Sequence, residues 1–255
     1  VTEGSGRRPR TGPSATRRNE ERERLFAGRL DLFKRLYRWL NLTLIQQGVW
    51  PLLVVLAGAP AGPVAGTPLP WWAGRIAGPA LAAVLAWLYL RQRPGLPAAA
   101  ADGAGRGTWT DGGTVGAATG NAAARWALPV LAVMLAVARI AAGPADAAAK
   151  LVLFGLADAV AFQLIHFGVV RRSWADEQAG TVAAVGLFAA SWGLGNLFLA
   201  AAGGGAADPA LVFAGGAGAG FAIALLSLVA WRWLGGFWSA TALHLIVVSL
   251  VLGFA

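Results

Sequence analysis

Seven runs of about twenty mostly apolar residues, separated by segments rich in Gly, Pro or Arg, leave this chain few ways to fold. A helix of that length reaches about 30 Å at 1.5 Å per residue, which is the thickness of bilayer hydrocarbon. Inside lipid each backbone N–H and C=O must find its partner within the span, and only a helix does that within one segment. With 57% hydrophobic and 13% charged residues over 255 positions, the sequence reads as an all-α, polytopic transmembrane helix bundle, a multi-pass protein of the cell membrane. The expected spans are 41–59, 74–90, 124–142, 150–172, 179–202, 209–231 and 237–254. Pro51 is expected to kink the first, and Trp71 and Trp72 suit an interface belt before the second. In the sixth, Gly215, Gly216, Gly218 and Gly220 let helices approach closely and mark a packing spine.

The net charge of +9 raises nucleic acid as a partner, but its distribution points to lipid instead. Eleven of the 21 basic residues precede Asn41, and most others cap apolar runs. Placing the N-terminus inside puts 18 basic residues on the inner side and leaves Arg75, Arg139 and Lys150 outside, so the bundle is expected N-in and C-out. Residues 1–24 mix Arg, Gly, Pro and Ser without an apolar period and read as a disordered basic tail, not a signal peptide. Residues 25–40, LFAGRLDLFKRLYRWL, set Leu25, Phe33, Leu36 and Leu40 against Lys34, Arg35 and Arg38. That pattern is an amphipathic interfacial helix whose partner is the anionic lipid of the inner leaflet. The transmembrane bundle then occupies 41–255.

Other chemistries are excluded by what is missing. Cysteine is absent and histidine occurs twice, so there is no disulfide frame, thiolate zinc site or cysteine nucleophile. Cofactor and metal requirements are not specified by the sequence. GAGRG, in the Gly-rich loop before the third span, has neither the strand nor the helix a phosphate-cradling loop needs. No period of 20 to 50 residues repeats, which argues against a transporter built from inverted repeats.

The fourth run, KLVLFGLADAVAFQLIHFGVVRR at 150–172, carries Asp158 near its middle. A carboxylate at that depth costs several kcal/mol unless something receives it, so it marks a candidate site. On an α-helix Phe162 and His166 follow on the same face, about 40° and 80° round, while Gln163 falls about 140° away. Asn196 on the fifth span and His244 on the seventh are the other polar groups at mid-depth. Isolated polar groups in neighbouring apolar helices are expected to meet. An Asp, an Asn and a His around a small polar pocket can carry general-base hydrolysis, with Asp158 deprotonating water and Asn196 and His244 stabilising the oxyanion. The plain alternative is a set of interhelical hydrogen bonds.

Those residues also bear a family likeness. GGFWSATALHLIVVSLV resembles the last motif of the CPBP family of CAAX proteases and bacteriocin-processing intramembrane proteases, G-S-L-W-x-x-I-x-x-H-x-x-x-N, with Trp238 and His244 matching. DAVAFQLIHFGVVRR is similar to the family's E-E-x-x-x-R segment, with Asp158 at the first Glu, Ala159 at the second and Gln163 at the Arg. LFAASWGLGNLF looks like the F-x-x-x-H motif, with Trp192 for Phe and Asn196 for His. The likeness covers residues 148–254 in order and spacing. It implies an intramembrane endopeptidase fold with Asp158, Asn196 and His244 in the catalytic positions and a membrane peptide or protein as substrate. Only His244 keeps the family's residue, and Val248, next to Ser249, replaces the final Asn. The leading expectation is therefore an eroded site with weak, altered or no peptidase activity. The alternatives are an active endopeptidase using Asp158 as general base and a non-catalytic peptide-binding or scaffold protein.

Overall fold

The computed structural model describes residues 15–57, 69–92, 122–142, 154–174, 176–202, 208–234 and 236–248. Among them are seven helices and no strand: α1 Ala15–Ala57, α2 Leu69–Gln92, α3 Ala122–Ala142, α4 Leu156–Phe162 continued by Gln163–Val170, α5 Glu177–Ala202, α6 Pro209–Trp233 and α7 Phe237–Ile246. Residues 1–14, the Gly-rich loop at 93–121, Lys150 and Ser249 lie outside the described residues. Two helices, α5 and α6, are long and apolar enough to cross a bilayer; the described apolar runs of α2, α3, α4 and α7 are shorter.

The chain divides into two compact units, 1–38 and 39–255. In the first, α1 begins at Ala15 and so takes in residues 15–24, which the composition assigns to the tail. Glu and Arg are good helix formers, and pairs such as Glu20 and Arg24 stand four apart, where opposite charges support a helix. Leu25, Phe26 and Phe33 are exposed, Phe33 stacks on Tyr37 with centroids 6.0 Å apart, and Arg35 pairs with Asp31 one turn away.

In the second unit α5 packs along α6, α6 against α7, α2 against α4, α3 against α7, and α4 against α5 and α7. Caps set where the helices begin. Asp176 accepts from the Ala179 N–H at 2.5 Å ahead of α5, and Asp208 accepts from the Ala210 N–H at 2.8 Å with Pro209 opening α6. Between α6 and α7 the chain reverses at Gly236, whose φ of 88° is open to glycine at little steric cost.

Close approach explains half of the sixth span's glycines. A Cβ on Gly216 would lie 2.6 Å from Asn196 Nδ2, and one on Gly220 would lie 2.5 Å from Trp192 Cβ, so α5 rests in a groove cut by these two residues. Gly215 and Gly218 face open space. On α5, Gly193 in turn receives Phe213 of α6.

Among the described residues the interior is mainly apolar but takes in several polar side chains, and large apolar side chains also face outward. Thr43, Gln46, Gln163, His166, Ser191, Ser227 and His244 are buried, while Val133, Met134, Leu211, Phe221 and Trp233 are exposed.

Candidate functional site

The site is built around α4, whose lower half departs from α-helical winding. Gln163–Val170 forms a π-helix, closed by an N–H of Arg171 bonding back five residues to the His166 carbonyl. Every residue from Ala161 to Val170 is buried, including Gln163 and His166 at 0% exposure. Two of the positions raised from the sequence, Asp158 and His166, both reach α1. Asp158 accepts from Gln46 Nε2 at 2.9 Å, and His166 Nε2 lies 3.2 Å from the indole Nε1 of Trp39. Gln163 turns the other way, donating to Ser227 Oγ at 3.0 Å and accepting from Trp231 Nε1 at 3.0 Å, both on α6.

The three candidate catalytic residues are engaged as follows. Asp158 takes the Gln46 carboxamide and is only partly buried. Asn196 donates from Nδ2 to the Trp192 carbonyl one turn back on its own helix, at 2.8 Å, while its side chain fills the notch at Gly216. His244 is 1% exposed and sits among rings, with centroid distances of 5.3 Å to Phe162, 5.5 Å to Phe188 and 6.0 Å to Trp192. Its Nδ1 is buried without a hydrogen-bond partner, as are Thr241 Oγ1 one turn before it, Trp192 Nε1 and Gln46 Oε1.

Phe162 is the hub of this interior. Its ring meets those of His166 at 5.5 Å, Phe188 at 4.7 Å and Trp192 at 5.9 Å as well as His244. The two histidines thus flank one aromatic cluster. On the far side of His166 lies a polar knot that the sequence reading does not assign: Ser191 Oγ is 3.0 Å from His166 Nε2, 3.1 Å from Thr43 Oγ1 and 3.2 Å from Trp39 Nε1. One signal for it was present. Trp39, Thr43, Gln46 and Gln47 repeat at helical spacing along an otherwise apolar run, which is a polar stripe aimed inward. Ser191 carries no comparable mark.

At the basic end of α4, Arg171 pairs with Glu177. Among the described residues no group of three or more His, Asp or Glu side chains converges as a metal site would require. No family model, curated protein or solved structure matches the chain.

Proposed function

We propose that this chain is a multi-pass membrane protein of seven spans with its N-terminus inside, built like the CPBP intramembrane proteases over residues 148–254 but with an eroded hydrolytic site. It has weak, altered or no peptidase activity at Asp158, Asn196 and His244, and it binds or scaffolds a membrane peptide or protein. Membrane residence is supported by the large apolar side chains on the outside, by the two helices long enough to span a bilayer and by the 18-to-3 basic bias. The basic amphipathic segment before the bundle lies on anionic inner-leaflet lipid.

One observation carries the loss of hydrolysis: each would-be catalytic group already has a packing partner. The Asp158 carboxylate is held toward α1 by the Gln46 amide on Oδ1, with no second acid beside it in the sequence, where Ala159 stands. An oxyanion donor must point at the reacting carbonyl, and the Asn196 amide is folded back on its own helix. His244 is walled by aromatic rings.

The test is cleavage of membrane-spanning peptides by the purified protein in lipid vesicles, comparing wild type with Asp158→Ala and His244→Ala. All three are expected to give the same background. Cleavage by the wild type that both substitutions abolish would establish the active endopeptidase instead.

A further inference from the structure

The knot beside His166 has a defined direction. His166 Nδ1 lies 2.9 Å from the Phe162 carbonyl oxygen. A carbonyl only accepts, so Nδ1 carries the ring hydrogen and Nε2 presents its lone pair. Two donors face that lone pair, the Ser191 hydroxyl at 3.0 Å and the Trp39 indole N–H at 3.2 Å; with the indole N–H on Ser191 Oγ, also at 3.2 Å, the hydroxyl donates to Nε2 and Thr43, 3.1 Å from Ser191 Oγ, donates to it in turn. With the indole N–H on Ser191 Oγ, this is the arrangement of an activated nucleophile: a hydroxyl bonded to an unprotonated imidazole nitrogen, with the imidazole held in that tautomer by a third group.

We propose that Ser191 is an acyl-accepting nucleophile with His166 as its general base, acting on carboxylic esters that carry an apolar acyl chain. The orienting group is a neutral carbonyl and not a carboxylate, so the imidazolium formed during attack is less stabilised than in a full triad. That favours esters, whose alkoxide leaves with less help than an amine. The surroundings favour an apolar chain, since the rings of Phe162 and Phe188 stand 5.5 and 5.1 Å from the His166 ring. In the first half-reaction Ser191 Oγ bonds to the ester carbonyl carbon as its proton passes to His166 Nε2. The carbon–alkoxy bond then breaks, and the alcohol leaves with that proton. Water, deprotonated by the same nitrogen, releases the acid and restores Ser191.

Ser191 and His166 are both at 0% exposure, whereas Trp39, whose N–H is 3.2 Å from each, is partly exposed. The indole is therefore the layer over the pair.

The experiment treats the full-length protein in lipid vesicles with a long-chain alkyl fluorophosphonate, in which phosphorus takes the place of the acyl carbon and fluoride leaves. The adduct is located by peptide mass. Ser191 is expected to be labelled in the wild type, faster in Trp39→Ala, and not in Ser191→Ala. His166→Gln, which keeps a polar side chain but no base, should slow labelling by about 10²- to 10⁴-fold. Because the chain has no cysteine, Ser191→Cys supplies a unique thiol as a second reading, and His166 should accelerate its reaction with an apolar disulfide reagent. The proposal is overturned if neither wild type nor Trp39→Ala carries an adduct on Ser191 while both retain cooperative thermal unfolding. Labelling of His166→Gln at the wild-type rate overturns it too.

Discussion

Gln163 and Gln46 show what a buried amide does in this bundle. Gln163 satisfies both ends of its carboxamide on α6 through Ser227 and Trp231. Replacing it with Leu leaves a buried hydroxyl and a buried indole N–H short of a partner, and stability in detergent is expected to fall by about 1–3 kcal/mol, read from thermal unfolding. Gln46 satisfies only its amino end, on Asp158, and leaves Oε1 buried without a partner. Here the informative measurement is a double-mutant cycle of Gln46→Leu and Asp158→Leu. Each single change strands one group of the pair, so the double variant should be more stable than the sum of the singles implies, by about 0.5–3 kcal/mol. Additive losses would mean the pair is not coupled. The turn between these two residues on α4 was legible: the spacing placed Asp158 and Gln163 on different sides of the helix, and they bond to α1 and α6 respectively. Their partners were not legible, because hydrogen bonds across 64 to 112 residues leave no trace in local pattern.

Helices meet in this chain where glycine allows it. The sequence marks four glycines in α6 as equivalent, yet only Gly216 and Gly220, one turn apart, receive side chains of α5. Gly216→Ala and Gly220→Ala are expected to cost about 1–3 kcal/mol by forcing α5 outward. Gly215→Ala and Gly218→Ala meet nothing and replace the poorest ordinary helix former with the best, so they should be neutral or stabilise by up to about 1 kcal/mol. Thermal unfolding of the four variants side by side checks the pattern, and a uniform response would contradict it. The π-helical winding of Gln163–Val170 is the other feature at this scale. Its hydrogen bonds are poorer than those of an α-helix, so it persists through the packing around it, here a stretch buried on all sides. No residue in QLIHFGVV specifies it.

At the scale of the whole molecule, the proposed orientation, N-terminus inside, rests on where the basic residues fall. With no native cysteine, single cysteines report sidedness without background. Gln178 and Ala210 are both exposed, near the two ends of the α5–α6 pair. In intact cells a membrane-impermeant maleimide is expected to label Ala210→Cys and to spare Gln178→Cys until the cells are opened. The reverse result would invert the topology. The amphipathic segment gives a further expectation: replacing Lys34, Arg35 and Arg38 with Gln should weaken binding of that segment to vesicles containing anionic lipid, by about 1 kcal/mol per charge removed, and have little effect on neutral vesicles. Vesicle co-sedimentation measures both.

Composition and spacing by themselves determined that the chain is helical and where most helices run, and they singled out Asp158, Asn196 and His244 as the groups needing explanation; seven spans were expected, and two of the described helices, α5 and α6, are long and apolar enough to cross a bilayer. Those properties are local, since periodicity and hydropathy are written along the chain. Which polar groups meet was decided only by the tertiary packing. Asp158 went to Gln46 of α1, Asn196 folded back beside Gly216, His244 went among the rings around Phe162, and the unmarked Ser191 arrived against His166. The reason is physical: an apolar interior makes unpaired polar groups costly, but helix rotation, a turn of π winding and two glycine notches select which of them pair and which, like His244 Nδ1, stay without a hydrogen bond.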